Sequence, residues 1–248
     1  MSGRVLRIAV AVLVLAAVCA GGALWWWRSG WDISAASTNL DVPGLDEAAL
    51  SERGISRVSM GMLEVPTGRL ITTDPLVQPD RSPLTRTVPP GRYEVVLFKA
   101  EGRVAMASLI FADKPVASWE LGLLEGQNQA ALARDEFYGF PVDAGLGSFM
   151  DMEAAKLMAM RDEKEQLNAA GGAYDYYSSV LAPEMGELDF LFHKPIPTNR
   201  VNSAIFWSGW GDGYYPAIWG LDADNQPVKL VIDFYVLNDG RVVEPVAN

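Results

Sequence analysis

Two short runs carry the residue types best suited to chemistry. The first is Tyr138–Ala155, YGFPVDAGLGSFMDMEAA, which sets Asp143 and Asp151 on either side of Gly145 and Gly147. Glycine reaches backbone conformations closed to other residues, and aspartate is a preferred residue at a helix start. A glycine turn that enters a helix also presents unpaired N–H groups able to hold an anion or an oxyanion. The second run is Phe206–Pro216, FWSGWGDGYYP, where Asp212 stands between Gly211 and Gly213 among Trp207, Trp210, Tyr214 and Tyr215. A carboxylate ringed by aromatic side chains suits sugars, amines and peptides, because the rings stack while the acid fixes polarity. Each run also has a plainer reading, Asp151 as a helix cap and Gly-Asp-Gly as a tight turn. Asp143 has no such excuse. The candidate ligand-binding residues are therefore Asp143, Asp151, Trp210, Asp212 and Tyr214, and no residue is assigned as catalytic.

Other chemistries are pruned by composition. Cys19 is the only cysteine and lies in an N-terminal apolar run, so the rest of the chain has no disulfide, thiolate nucleophile or cysteine ligand. His193 is the only histidine, which excludes zinc sites built on two or three imidazoles, and it is expected at the surface. Asp222, Asp224 and Asn225 resemble a calcium loop, but the glycine and glutamate needed at the right offsets are missing, and a polar turn is expected. There is no G-x-G-x-x-G, no lysine placed to grip a phosphate, and no G-x-S-x-G around Ser148. No metal or cofactor is expected.

The N-terminal segment suggests an address. Ile8–Trp27 is an uncharged stretch of twenty residues, preceded by Arg4 and Arg7 and closed by Trp25, Trp26, Trp27 and Arg28. At helical rise that length spans about 30 Å, the thickness of a bilayer core. The basic flank places the short N-terminus in the cytoplasm and the body outside, with the tryptophans as an interfacial belt at the inner or plasma membrane. A retained single-pass anchor is the preferred reading. Cleavage after Val18-Cys19-Ala20, giving a secreted or periplasmic body, and lipidation of Cys19 compete with it. The whole chain carries a net charge of −11. Beyond residue 29 three arginines are lost and no acid, leaving 17 basic against 31 acidic residues and a net charge of −14. Such a body has the wrong sign for nucleic acid and attracts cations or basic proteins.

The elements that must hold the two runs in place read as an α+β domain, a mostly antiparallel sheet with one principal helix, preceded by the N-terminal transmembrane helix. Residues 1–29 form the anchor or signal segment, 30–67 a tether with a small helical lead-in, and 68–248 a single exported domain. Within the lead-in, LDEAALSERG predicts a short helix with Asp46 and Glu47 at its favourable end. Thr73–Pro90 is too rich in proline for helix or central strand. Strands are predicted over Tyr93–Lys99, Arg103–Phe111 and Ala117–Leu124, the first two joined by a hairpin at Ala100–Gly102. Both faces of Arg103–Phe111 are apolar, which predicts a central, twice-covered strand. Asp151–Leu167 predicts the helix, with Ala154, Leu157, Met158 and Arg161 on one face. Further strands are predicted over Val201–Trp207, Tyr215–Leu221, Val228–Leu237 and Arg241–Glu244.

The order PGRYEVVLFKAEGRVAMASLIF, WELGL, YGFPVDAGLGSFMD and NSAIFWSGWGDGYYPAIWGLDADNQPVKLVIDF, from about Gly68 to Leu237, resembles a largely bacterial family called domain of unknown function four-two-four-one. The family's V-D-A-G-x-G-x-F-M-D run is matched by Val142, Asp143, Ala144, Gly145, Gly147, Phe149, Met150 and Asp151, and its G-W-G-D-G run by Gly209–Gly213. The resemblance implies no activity and carries no catalytic residue across. The expected function is a membrane-anchored extracytoplasmic binding or interaction domain for a basic protein or a small polar ligand. Immunity against a basic toxin is one form of it. The alternatives are hydrolysis of an envelope polymer by Asp143 or Asp151 paired with Asp212, and calcium binding by the same acids.

Overall fold

The computed structural model describes residues 30–169 and 172–238. Its strands are β1 (Ser56–Val65), β2 (Leu70–Thr72), β3 (Gly91–Ala100), β4 (Arg103–Ile110), β5 (Ser118–Leu121), β6 (Phe140–Val142), β7 (Leu146–Asp151), β8 (Phe190–His193), β9 (Ser203–Trp207), β10 (Gly213–Tyr215), β11 (Ala217–Leu221) and β12 (Pro227–Asp233). The helices are α1 (Glu47–Glu52), α2 (Met152–Asn168) and α3 (Ala182–Met185), the last entered through a π-type turn over Tyr177–Leu181. The class is α+β with antiparallel sheets.

A six-stranded sheet runs β1-β3-β4-β12-β11-β5 and a four-stranded sheet β2-β7-β9-β8, while β10 and β6 form a separate pair. Leu97, Leu109, Trp219 and Ile232 of the first sheet meet Phe149, Ala204 and Phe206 of the second in one buried core. The outer face of the four-stranded sheet is covered by Ala154 and Met158 of α2 and by Val180 and Leu181. The outer face of the six-stranded sheet is covered by Val42, Leu50 and Ile55. The layers are therefore lead-in, sheet, sheet and helices, each burying an apolar face that would otherwise meet water. β4 is central and buried on both faces, as its doubly apolar pattern predicts. Its hairpin to β3 turns on Glu101 and Gly102, both at positive φ, the geometry that matches strand twist.

Several expectations need correction. Residues 30–37 are not a free tether: Trp31 donates its indole N–H to the Glu136 carbonyl at 2.6 Å, and Ala36 and Ser37 are buried. Asp233, fully buried at the end of β12, accepts from Ser37 Oγ at 2.6 Å and from Asn39 Nδ2 at 2.9 Å, fixing the lead-in to the sheet. β1, β2, β6, β8 and β10 escape sequence reading because they are short or, in β1, without a clean buried–exposed alternation and bulged between Ser59 and Gly61. The expected strand over Tyr215–Leu221 is split at Pro216, which cannot donate to a ladder. Tyr235, at φ 58, ends β12 short of Leu237. The expected transmembrane segment and the strand over Arg241–Glu244 lie outside the described residues. Among the described residues no helix is long and apolar enough to cross a membrane.

The most consequential correction concerns the glycine run. Leu146–Asp151 is not a loop but the fully buried strand β7, paired with β9 and β2. A Cβ at position 147 would stand 2.6 Å from Phe234 Cζ and 3.0 Å from Phe206 Cε2, so the glycine is demanded by ring packing.

Candidate functional site

The helix start is closed to ligands. Asp151 is 0 % exposed and caps α2, accepting from Glu153 N at 2.8 Å. It also accepts from Thr67 N at 3.0 Å and from Thr67 Oγ1 at 2.8 Å, while Met152 N donates to the Arg69 carbonyl at 2.9 Å. The first two N–H groups of the helix, Met152 and Glu153, are already partnered, and burial with this cap role removes Asp151 from both the binding and the acid–base readings.

The loop before β7 is organised by an acid the sequence does not flag. Asp74 is fully buried, and its Oδ2 accepts from Ala144 N at 2.8 Å and Asp143 N at 3.2 Å, its Oδ1 from Leu76 N at 3.0 Å. That grip turns the Asp143 side chain outward into solvent. Gly145, at φ +70, completes the bend.

The two glycine runs meet. Ser208 N donates to the Gly145 carbonyl at 3.0 Å, and Val142 of β6 pairs with Gly213 of β10. Asp143 and Asp212 are the next residues beyond that last pair, both exposed at the same end of the ladder. The Tyr215 hydroxyl donates to the Gly211 carbonyl at 2.9 Å from inside the turn, and burial raises it to a pKa of about 12. Tyr214 does not join the aspartates. Its hydroxyl accepts from Gly139 N at 3.0 Å and its ring lies 5.6 Å from that of Phe137, so it supports the β6 side of the ladder.

Trp210 projects from the second turn with 47 % of its surface exposed. The Arg103 guanidinium, from the start of β4, sits 4.1 Å from its ring centre and donates to the Gly209 carbonyl at 3.3 Å. Beside the pair opens a groove of about 340 Å³, bounded by Gly145, Asp189, Trp207 and Ser208. Lys99 holds Asp189 at 2.5 Å on its margin. The residues that gather here are thus Trp207, Trp210 and Gly145, with Asp143 and Asp212 just beyond the end of the adjoining ladder; Arg103 and Asp189 come from elements the motifs do not contain.

A family model described as "Protein of unknown function (DUF4241)" matches residues 63–232, a span that holds every residue of this groove. The chain belongs to that family. No curated protein and no solved structure matches it. Within the family's span, the glycine runs read as turn and packing chemistry around an aromatic groove.

His193, expected at the surface, is fully buried. Its Nε2 meets the Tyr176 hydroxyl at 2.7 Å and its Nδ1 the Glu184 carboxylate at 2.6 Å, while Arg161 of α2 reaches Glu184 at 3.3 Å. The chain ties the π-type turn, α2 and β8 together. Burial holds the imidazole below its ordinary range, against the pull of Glu184. The unfolded chain therefore takes up a proton first as pH falls below about 6.5, and stability present above that value is lost towards the lower folded pKa. Asp233, whose carboxyl burial raises from its ordinary value, contributes in the opposite sense, so the difference between wild type and a His193 variant isolates the imidazole, the single one in the chain. Urea unfolding at about pH 7.5 and about pH 5.5 should show a greater loss on acidification in the wild type than in His193→Gln, about 1.4 kcal/mol per unit of separation. The same profile in wild type and His193→Gln would mean the buried imidazole accepts its proton without cost.

The calcium reading finds no support in the geometry. Among the described residues no three carboxylate, imidazole or thiol groups converge as a metal site. Asp222 is spent on its own turn, its Oδ1 accepting from Asp224 N and Gln226 N at 2.9 Å and its Oδ2 from Lys114 Nζ at 2.6 Å. Lys114 and the two backbone donors hold the Asp222 carboxyl below its usual range.

Proposed function

We propose that this chain is a membrane-anchored, extracytoplasmic binding domain that presents the Trp210 groove to a basic protein or a small polar ligand. The observation that carries the reading is Trp210 itself: a large ring left nearly half exposed, yet held in one orientation under Arg103. Exposed aromatic anchors with a fixed orientation lose little entropy on binding and dominate interface energies. The address is supported by the uncharged stretch Ile8–Trp27 and its basic flank. The choice of a basic partner is supported by the net charge of −11, with Asp143 and Asp212 beside the groove. Immunity against a basic toxin is one form such binding would take.

The test is calorimetric titration of the full chain, in detergent or nanodiscs, with a lysine- and arginine-rich peptide as probe. Binding should weaken steadily with added salt, and Trp210→Ala should weaken it at least about tenfold. Equal affinity in wild type and Trp210→Ala would remove the groove from the reading. The same chain with a C-terminal reporter should score as external.

One observation favours hydrolysis of an envelope polymer as a second reading. Asp143 and Asp212 both follow directly on the last pair of the β6–β10 ladder, Val142 and Gly213, at one end of it; a pair of glycosidase carboxylates stands about 5–9.5 Å apart. Glycan turnover by the purified chain, abolished in both Asp143→Asn and Asp212→Asn, would move the assignment there.

A further inference from the structure

A second groove lies at the other end of β4, where Ile110 rather than Arg103 borders it, about 24 Å away at the rise of a strand. Its volume, about 760 Å³, falls in the range of ligand sites. One wall is the lead-in, Leu40, Pro43 and Leu45, lying over the outer face of the six-stranded sheet. From that sheet come Arg57, Trp119 and Lys229. Trp119 lies flat because Gly220 is beneath it; a Cβ there would stand 2.9 Å from the ring.

The charges in this groove are unevenly satisfied. Glu94 receives the Ser59 hydroxyl at 2.7 Å, Asp41 is bridged to Arg53 at 2.7 Å, and Lys114 to Asp222 at 2.6 Å. Lys229 has only the Pro43 carbonyl, at 3.1 Å. Among the described residues neither Lys229 nor Arg57 forms an ion pair. Burial, with the nearby Arg57 guanidinium adding to it, pushes the Lys229 amine below its ordinary range, while Asp113 on the rim pulls the other way. Lys229, half-buried, and Arg57, exposed, thus line one groove with no carboxylate among the described residues at ion-pair distance of either, and both keep donors open to an anion.

We propose that this groove binds a small oxyanion, a carboxylate or a monophosphate, carried on a flat apolar body. The oxyanion bridges Lys229 and Arg57, and the body rests against Trp119 and Leu45. Asp113 and Glu94, groove carboxylates without an ion pair among the described residues, disfavour polyanions by like-charge repulsion, so the ligand is small and carries one such group. The site is separate from the Trp210 groove and stands or falls independently of its function.

Titration of the full chain with indole-3-acetate, phenyl phosphate and the uncharged indole-3-acetamide tests this directly. At least one anion should bind and the amide should not; the tighter of the two anions tells carboxylate from phosphate. Lys229→Met and Arg57→Gln should each weaken binding about tenfold. A second readout is acylation of Lys229 by an amine-directed reagent, followed by peptide mass, which the bound anion should slow. Binding by neither anion, or affinities unchanged in both variants, overturns the site, as does an acylation rate indifferent to the probe.

Discussion

Replacing Asp151 by alanine should lower the unfolding free energy by about 4 kcal/mol, read as a shift in the urea midpoint at constant slope. The carboxylate is 0 % exposed, and among the described residues no cation lies within ion-pair distance of it. Its charge is instead held by three donors, Thr67 N, Thr67 Oγ1 and Glu153 N, at the positive end of α2. Hydrogen bonds to a charged group contribute about 1.5–3 kcal/mol each, and alanine leaves all three donors without an acceptor. Asp151→Asn separates the contributions. It keeps one acceptor oxygen but turns an amide towards N–H groups, so about half the loss should remain. A loss under about 1 kcal/mol for alanine would reduce Asp151 to an ordinary helix cap.

Asp74→Ala should cost about 3 kcal/mol and, unlike Asp151→Ala, should also disturb the groove. Its carboxylate gathers the N–H groups of Leu76, Asp143 and Ala144 into one bend, and that bend delivers the Gly145 carbonyl to Ser208 N. Without it the bend has no internal acceptor, and the Trp210 turn loses a neighbour. Hydrogen exchange should therefore rise at Asp143, Ala144 and Ser208 in this variant while the six-stranded sheet stays protected. Uniform protection at the loop would show that Asp74 is not what holds it. The two substitutions together distinguish an acid that anchors a helix from an acid that shapes a binding surface.

The groove they support explains why aspartate and glycine recur so densely in the two runs. Gly147 admits the Phe234 and Phe206 rings, and Gly209 admits Val236 and the Phe234 backbone, with a Cβ at either position inside 3.0 Å of a neighbour. These residues let two turns approach closely enough to share a hydrogen bond. Only Asp143 and Asp212 keep their side chains free to face outward, which is why they remain the acids of interest while Asp151 does not.

What the sequence by itself determined is what neighbouring residues decide among themselves. Helix α2 and its Asp151 cap, the Glu101-Gly102 hairpin, the central place of β4, the Asp222–Gln226 turn and the family follow from local pattern, turn chemistry and motif order. The tertiary structure alone decided the rest. Asp74 lies 70 residues from Ala144, whose N–H it accepts, and Ser37 lies 196 residues from Asp233. Neither pairing leaves a trace in local spacing. His193 looks like a surface residue in FHKPIP and becomes buried only because Tyr176 and Glu184 arrive on another element. Gly147 reads as a loop glycine until two rings from β9 and the end of β12 are packed against it. Local propensity sets the elements, but burial and hydrogen-bond partners are long-range properties, and they settle which acids are structural and which remain open to a ligand.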